Sequence, residues 1–172
     1  YNAYSVLKTG RDEYGKFLPV IFKSFGDYKP GLYVYLAVPS IFAFGLNEFI
    51  VRLPSALSGI ISVWLIYLIV KRLFQKENLA LISSFIAAVT PWLIYFSRGA
   101  WEVNVSLALT LAGIFFFLKF LEEEKNIFPS VISFALTLIC YQGAKLSTGI
   151  VVLLLIAIYF KRVIKIEPKK II

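Results

Sequence analysis

The chain has 172 residues, 59% of them hydrophobic and 17% aromatic, with a mean hydropathy of +0.80. A soluble domain is nearer 45–50% apolar, so the balance speaks against a water-soluble fold. The absence of histidine removes imidazole bases, Ser-His-Asp triads and His metal sites together. The net charge of +8 calls for no nucleic-acid partner, because Lys and Arg gathered on one side of a bilayer give the same total.

Asn2–Thr9 suits a short helix stopped by Gly10, and the stretch from there to Pro30 reads as loop. The run Gly31–Leu46 would reach only about 24 Å as a helix and contains Pro39. It reads as a helix lying along the outer membrane surface, with Tyr33, Tyr35, Phe42 and Phe44 as interfacial aromatics, and a short tilted span is the alternative. Five uncharged runs then follow as spanning helices: Leu53–Val70, Leu79–Phe96, Val103–Leu118, Asn126–Ala144 and Leu146–Phe160. Each reaches most of a hydrocarbon core of about 30 Å once flanking residues snorkel. The single cysteine, Cys140, lies within an apolar run and reads as a small buried hydrophobe.

The expected fold is therefore all-α: a polytopic integral membrane protein with about five transmembrane helices plus an interfacial juxtamembrane helix. Residues 1–52 form an extracytoplasmic segment carrying the short helix and the interfacial helix, and residues 53–172 form the transmembrane bundle. Tyr1 opens within a polar-aromatic segment with neither initiator nor signal peptide, which reads as a fragment of a longer chain.

Charge orients the bundle. Lys71, Arg72, Lys76, Lys119, Lys125, Lys161, Arg162, Lys165, Lys169 and Lys170 fall on one side, and the opposite short loops hold only Arg98 and Lys145. The positive-inside rule assigns the basic side to the cytoplasm. The expected location is the cell inner (plasma) membrane, with Tyr1–Arg52 outside.

Three polar groups then lie at the outer face. In Gly26-Asp27-Tyr28-Lys29-Pro30, Pro30 would occupy the first helical turn and Lys29 would stand beside its free N–H groups, a seat for phosphate; the alternative is a lysine snorkelling to lipid headgroups. In Ser97-Arg98-Gly99-Ala100-Trp101-Glu102 the two charges share a side if the segment is helical, as an ion pair or as a binding pair for a polar substrate. Arg52, ahead of Leu53-Pro54-Ser55, is similar in kind. Arg11-Asp12-Glu13 could supply a base, but adjacent acids are common on solvated loops, and Glu122-Glu123-Glu124 reads as a solvated cytoplasmic turn. No D-x-D metal motif occurs, so neither a metal nor another cofactor is expected.

The sequence resembles the GT-C superfamily of polyprenyl-phosphate-dependent glycosyltransferases, in the bacterial branch related to protein O-mannosyltransferases and aminoarabinose transferases. The matching features are Tyr28-Lys29-Pro30-Gly31-Leu32-Tyr33, similar to the family's K-P-P-L-x-Y, then Phe44-Gly45-Leu46-Asn47-Glu48, Arg52-Leu53-Pro54-Ser55-Ala56-Leu57 and Lys71-Arg72-Leu73-Phe74. Ser97-Arg98 and Glu102 fall where the family carries an Arg and a second acidic residue. The resemblance implies inverting transfer of a sugar from a polyprenyl-phosphate donor to an acceptor protein, lipid or glycan at the extracytoplasmic face. It implies that Lys29 contacts the donor phosphate; Arg98, Arg52 and Asp27 are further candidate binding residues, and Glu102 is the candidate catalytic carboxylate, orienting the acceptor or assisting the main acid. The family's main acid, in a D-E pair, is expected upstream of Tyr1. A Pro-Pro of the family is Pro30-Gly31 here, which loosens the helix start. The rival class is a transporter or lipid flippase, which predicts broken helices and polar groups near the midplane.

Overall fold

A computed structural model of the chain describes residues 1–24, 26–124 and 126–164. Lys125, Lys165, Lys169 and Lys170, which contribute to the charge asymmetry, lie outside the described residues. In chain order the elements are α1 (Asn2–Thr9), β1 (Ile21–Ser24), β2 (Asp27–Pro30), α2 (Leu32–Phe44), α3 (Glu48–Phe74), α4 (Glu77–Val89), α5 (Pro91–Arg98), α6 (Glu102–Glu123), α7 (Phe128–Leu138) and α8 (Ala144–Val163). The fold is all-α in class and membrane-type in composition.

The segment before Pro30 is not wholly loop. β1 and β2 pair antiparallel from Ile21 opposite Pro30 to Ser24 opposite Asp27. Phe22, 2% exposed, packs edge-on against Tyr35 of α2 with ring centroids 5.7 Å apart. Gly31 lies so close beneath Phe22 that a Cβ would stand 2.5 Å from the ring, so only glycine fits where the hairpin enters α2. Pro30 consequently closes the hairpin, and α2 starts at Leu32 after Gly31. Two strands of four residues are too short to show a repeated alternation in sequence.

Helix α3 is the spine. Asn47 caps it, its side chain accepting from the Ile50 N–H at 3.0 Å, and Lys71 and Arg72 close its last turn. Among its buried residues Ser55, Ser58, Gly59 and Ser62 are small and let neighbouring backbones approach closely. Ser55 Oγ donates to the Phe96 carbonyl of α5 at 2.8 Å, and Ser40 Oγ of α2 lies 3.3 Å from the Ile50 carbonyl of α3.

Three helices, α3, α6 and α8, are long and apolar enough to cross a membrane, and α4 with α5 makes a fourth if the bent pair is one span. The sequence led to five. The α4–α5 run bends by 55° because Pro91 cannot continue the helix and Thr90 before it is extended (φ −66, ψ 122). The shortfall is α7, whose 11 residues extend only about 16 Å. It nonetheless returns the chain along α6: Ile127, just before it, packs on Phe117, Phe120 and Leu121, whereas Cys140, just after it, reaches the Glu102 carbonyl. Helix α8 then runs parallel to α6, with Leu155, Tyr159 and Val163 against the same three residues. Arg72 and Glu122, 3.3 Å apart, bring the C-terminal ends of α3 and α6 together.

Candidate functional site at the α5–α6 junction

The charged residues of the opposite end are held by three separate local structures. Helix α5 ends at Arg98, Gly99 is extended (φ −107, ψ 170), and α6 does not begin until Glu102. Trp101 folds back over Gly99, where a Cβ would meet the indole nitrogen at 2.2 Å. The segment is therefore not one helix, and the ion pair available to Arg98 and Glu102 on a helical face is not formed among the described residues.

Arg98 instead lines a cleft of about 570 Å³ with Arg52, Tyr95 and Trp101, over apolar walls from Pro91 and Ile94. Arg52 comes from the first turns of α3 and is tethered to Glu48 at 3.2 Å, one turn earlier. Arg98 has no ion-pair or hydrogen-bond partner among the described residues. The aromatic side of the cleft is fixed by Phe96, whose ring packs edge-on against Trp92, Tyr95 and Trp101. Two guanidiniums beside aromatic faces suit an anionic group carrying a ring or an apolar body.

Glu102 belongs to a second group. Its carbonyl accepts from Cys140 Sγ at 3.3 Å, its carboxylate has no hydrogen-bond partner among the described residues, and it stands near the Tyr33 phenol. Tyr33 donates to the Val51 carbonyl at 2.9 Å. Burial, with the Glu102 charge adding to it, pushes the phenol up to about 12, so Tyr33 is a neutral donor at physiological pH.

Lys29 and Asp27 form the third group, on β2. Both are exposed, and neither lines the cleft of Arg52 and Arg98. Asp27 Oδ1 accepts from the Tyr28 N–H at 2.8 Å, while Lys29, opposite Phe22, has no side-chain partner among the described residues. Lys29 lies before Pro30 and Gly31, so it flanks the start of α2 without entering its first turn.

Asp12 departs from the solvated loop read in the sequence. It is buried, and its Oδ1 accepts from the N–H groups of Tyr14 (3.0 Å) and Lys16 (2.8 Å), so it shapes its own loop. Glu13 exchanges two hydrogen bonds with Asn2, tying the loop to α1.

Sequence reasoning missed Asn104. It is 1% exposed, and its Nδ2 donates to the Ser55 carbonyl (2.7 Å) and to Ser97 Oγ (3.2 Å), joining α3, α5 and α6 directly behind Arg98. Its Oδ1 is buried without a partner among the described residues. The available signal was an amide one residue inside an otherwise apolar run, since such groups face protein and not lipid. Among the described residues no group of three or more Cys, Asp or Glu side chains is placed to hold a metal ion.

Fold and site together define an all-α, membrane-type protein whose cationic and acidic side chains gather where helices end. The chain belongs to the dolichyl-phosphate-mannose-protein mannosyltransferase family, whose family model matches residues 29–169. Neither a curated protein nor a solved structure matches it. Membership places it among membrane glycosyltransferases of mannosyltransferase type.

Proposed function

We propose that the chain is part of an inverting glycosyltransferase that moves a sugar, a hexose or pentose, from a polyprenyl-phosphate donor to an acceptor hydroxyl at the extracytoplasmic face of the cell inner membrane. The observation that carries this reading is the break at Gly99, which parts Arg98 from Glu102 and leaves both without an ion-pair partner among the described residues. A surface ion pair is worth about 0–1 kcal/mol and gives a structural reason for both charges; without it, a membrane-proximal Arg and Glu retain unspent binding capacity.

Chemically, inversion needs a carboxylate to take the acceptor proton and cations to stabilise the charge growing on the departing lipid phosphate. Arg98 and Arg52 supply adjacent cations, and Lys29 supplies a third on the hairpin. Glu102, with Tyr33 as a neutral donor nearby, serves to orient the acceptor. The donor's isoprenoid tail would lie along the apolar outer surfaces of α2 and α3, where Leu36, Phe42, Phe44 and Leu57 are exposed.

A transporter reading draws on the broken α4–α5 run. Pro91 accounts for that break, and the only side-chain polar group at it, Thr90 Oγ1, donates back to the Ile86 carbonyl at 2.6 Å. No charged residue lies at the break; the charges sit at helix ends, which favours chemistry at the interface.

The test is glycosyl transfer by full-length protein carrying Arg98→Gln, Glu102→Gln or both. Contact of each residue with substrate predicts at least a tenfold loss of turnover, about 1.4 kcal/mol of barrier, in each single variant, with the double variant still impaired and folding unchanged. Full activity in the double variant would overturn the assignment.

A further inference from the structure

The opposite end of the bundle holds a larger cavity, about 890 Å³, between the C-terminal ends of α3, α6 and α8. Its charged lining is Arg72, Lys161 and Arg162 against a single acid, Glu122. That acid is already paired: Arg72 Nε lies 3.3 Å from Glu122 Oε2, and the guanidinium stacks on the Phe115 ring, 5.2 Å from its centroid. The pair and the ring fix Arg72 in place, yet its Nη1 is buried with no partner among the described residues. A buried charged donor left unsatisfied is unfavourable, so this guanidinium has capacity for a further acceptor. Lys161 and Arg162 form no ion pair among the described residues.

Beyond these charges and the polar Gln75 and Tyr159, the lining is apolar and continues outward. Leu118, Leu121 and Ile158 help form the walls, and from Ile158 the exposed face of α8 runs on through Leu154 and Leu153. Helix α8 has the composition of a membrane span, but only 6% of its apolar stretch is buried inside the protein. A basic cavity opening onto a lipid-exposed helix has the form of an anionic phospholipid, phosphate at the helix ends and acyl chain along the helix.

We propose that this cavity binds the headgroup of an anionic phospholipid, with Arg72, Lys161 and Arg162 around its phosphate and an acyl chain along Leu153, Leu154 and Ile158. The site lies at the other end of the bundle from Arg98 and is independent of the sugar-transfer reading.

The test is lipid retention by the full-length protein, purified from nanodiscs of phosphatidylglycerol or of phosphatidylcholine and counted by native mass spectrometry. The proposal expects phosphatidylglycerol to be retained preferentially. Lys161→Gln with Arg162→Gln should lower that retention roughly tenfold, and Lys8→Gln, at the distant α1, should not. Equal retention of the two lipids by the unaltered protein would overturn the proposal without recourse to any variant. So would equal retention by the Lys161/Arg162 variant. A third arm adds inorganic phosphate to phosphatidylcholine nanodiscs: thermal stabilisation equal to that from phosphatidylglycerol would identify a site for free phosphate and refute the lipid.

Discussion

Asn104 Nδ2 and the Ser55 carbonyl meet at 2.7 Å, and with Ser97 Oγ at 3.2 Å this one amide ties α6 to α3 and α5 at the level of the Arg98 cleft. The contact links packing to the proposed chemistry, because it holds the last turn of α5, which carries Arg98, against α3 and α6.

Replacing Asn104 by Ala should remove both bonds and leave a small cavity, lowering stability by about 1–3 kcal/mol. Asn104→Asp should do at least as much harm, since it loses a donor and buries a charge. Thermal unfolding of detergent-solubilised protein measures both. Unchanged melting of Asn104→Ala would show that the tie is dispensable.

Gly59 offers a second probe of the same junction. A Cβ there would stand 2.1 Å from Ser97 Oγ and 3.0 Å from Ser97 Cβ, so Gly59→Ala should push α5 off α3 and reduce both stability and transfer. Overpacking of this kind typically costs about 1–3 kcal/mol. Adding Ser97→Gly should recover part of the loss, and a double-variant cycle in which the two changes merely add would refute a direct clash.

Lys29, exposed on the hairpin and unpartnered among the described residues, makes no interaction whose loss should unfold the protein. If it holds donor phosphate, Lys29→Ala should weaken donor use roughly 10- to 100-fold, the equivalent of a charge-assisted hydrogen bond of about 1.5–3 kcal/mol. Lys29→Arg should retain more activity than Lys29→Ala. Donor titration in full-length protein checks this, and unchanged kinetics would return Lys29 to contact with lipid headgroups.

Tyr33 gives the protein an alkaline limit. Its folded state favours the protonated phenol, with a value near 12 against an ordinary 10, so its contribution to stability is complete below pH 10 and is lost as pH rises from 10 towards 12. The loss should approach about 2–3 kcal/mol. Tyr33→Phe removes the titration together with the bond to Val51, so the variant should be less stable at pH 8 and show a shallower decline above pH 10. Parallel decline of the two proteins in pH-dependent unfolding would place the alkaline sensitivity in other groups.

Several of these features can be traced to the sequence and several cannot. Uncharged apolar runs from Leu53 onward identify a helical membrane protein, because a bilayer leaves no other way to satisfy the backbone over such lengths. The segments around Lys29, Arg52 and Arg98 carry a family resemblance that membership in the mannosyltransferase family supports. The hairpin escaped notice because each strand has four residues, and α7 was overestimated because hydrophobicity alone does not say where a helix stops.

The amino-acid order by itself determined the all-α membrane class and the family, since both rest on long-range composition and short motifs that need no partner. The Pro91 bend is equally local, following from a missing N–H. Only the tertiary structure decided that Arg98 and Glu102 part at Gly99, that Arg52 joins Arg98 across a cleft, and that Asn104 is buried between three helices. These depend on how closely α3, α5 and α6 pack, and that closeness is fixed by small residues far apart in the chain, Ser55 against the Phe96 carbonyl and Gly59 against Ser97, whose proximity no local pattern records.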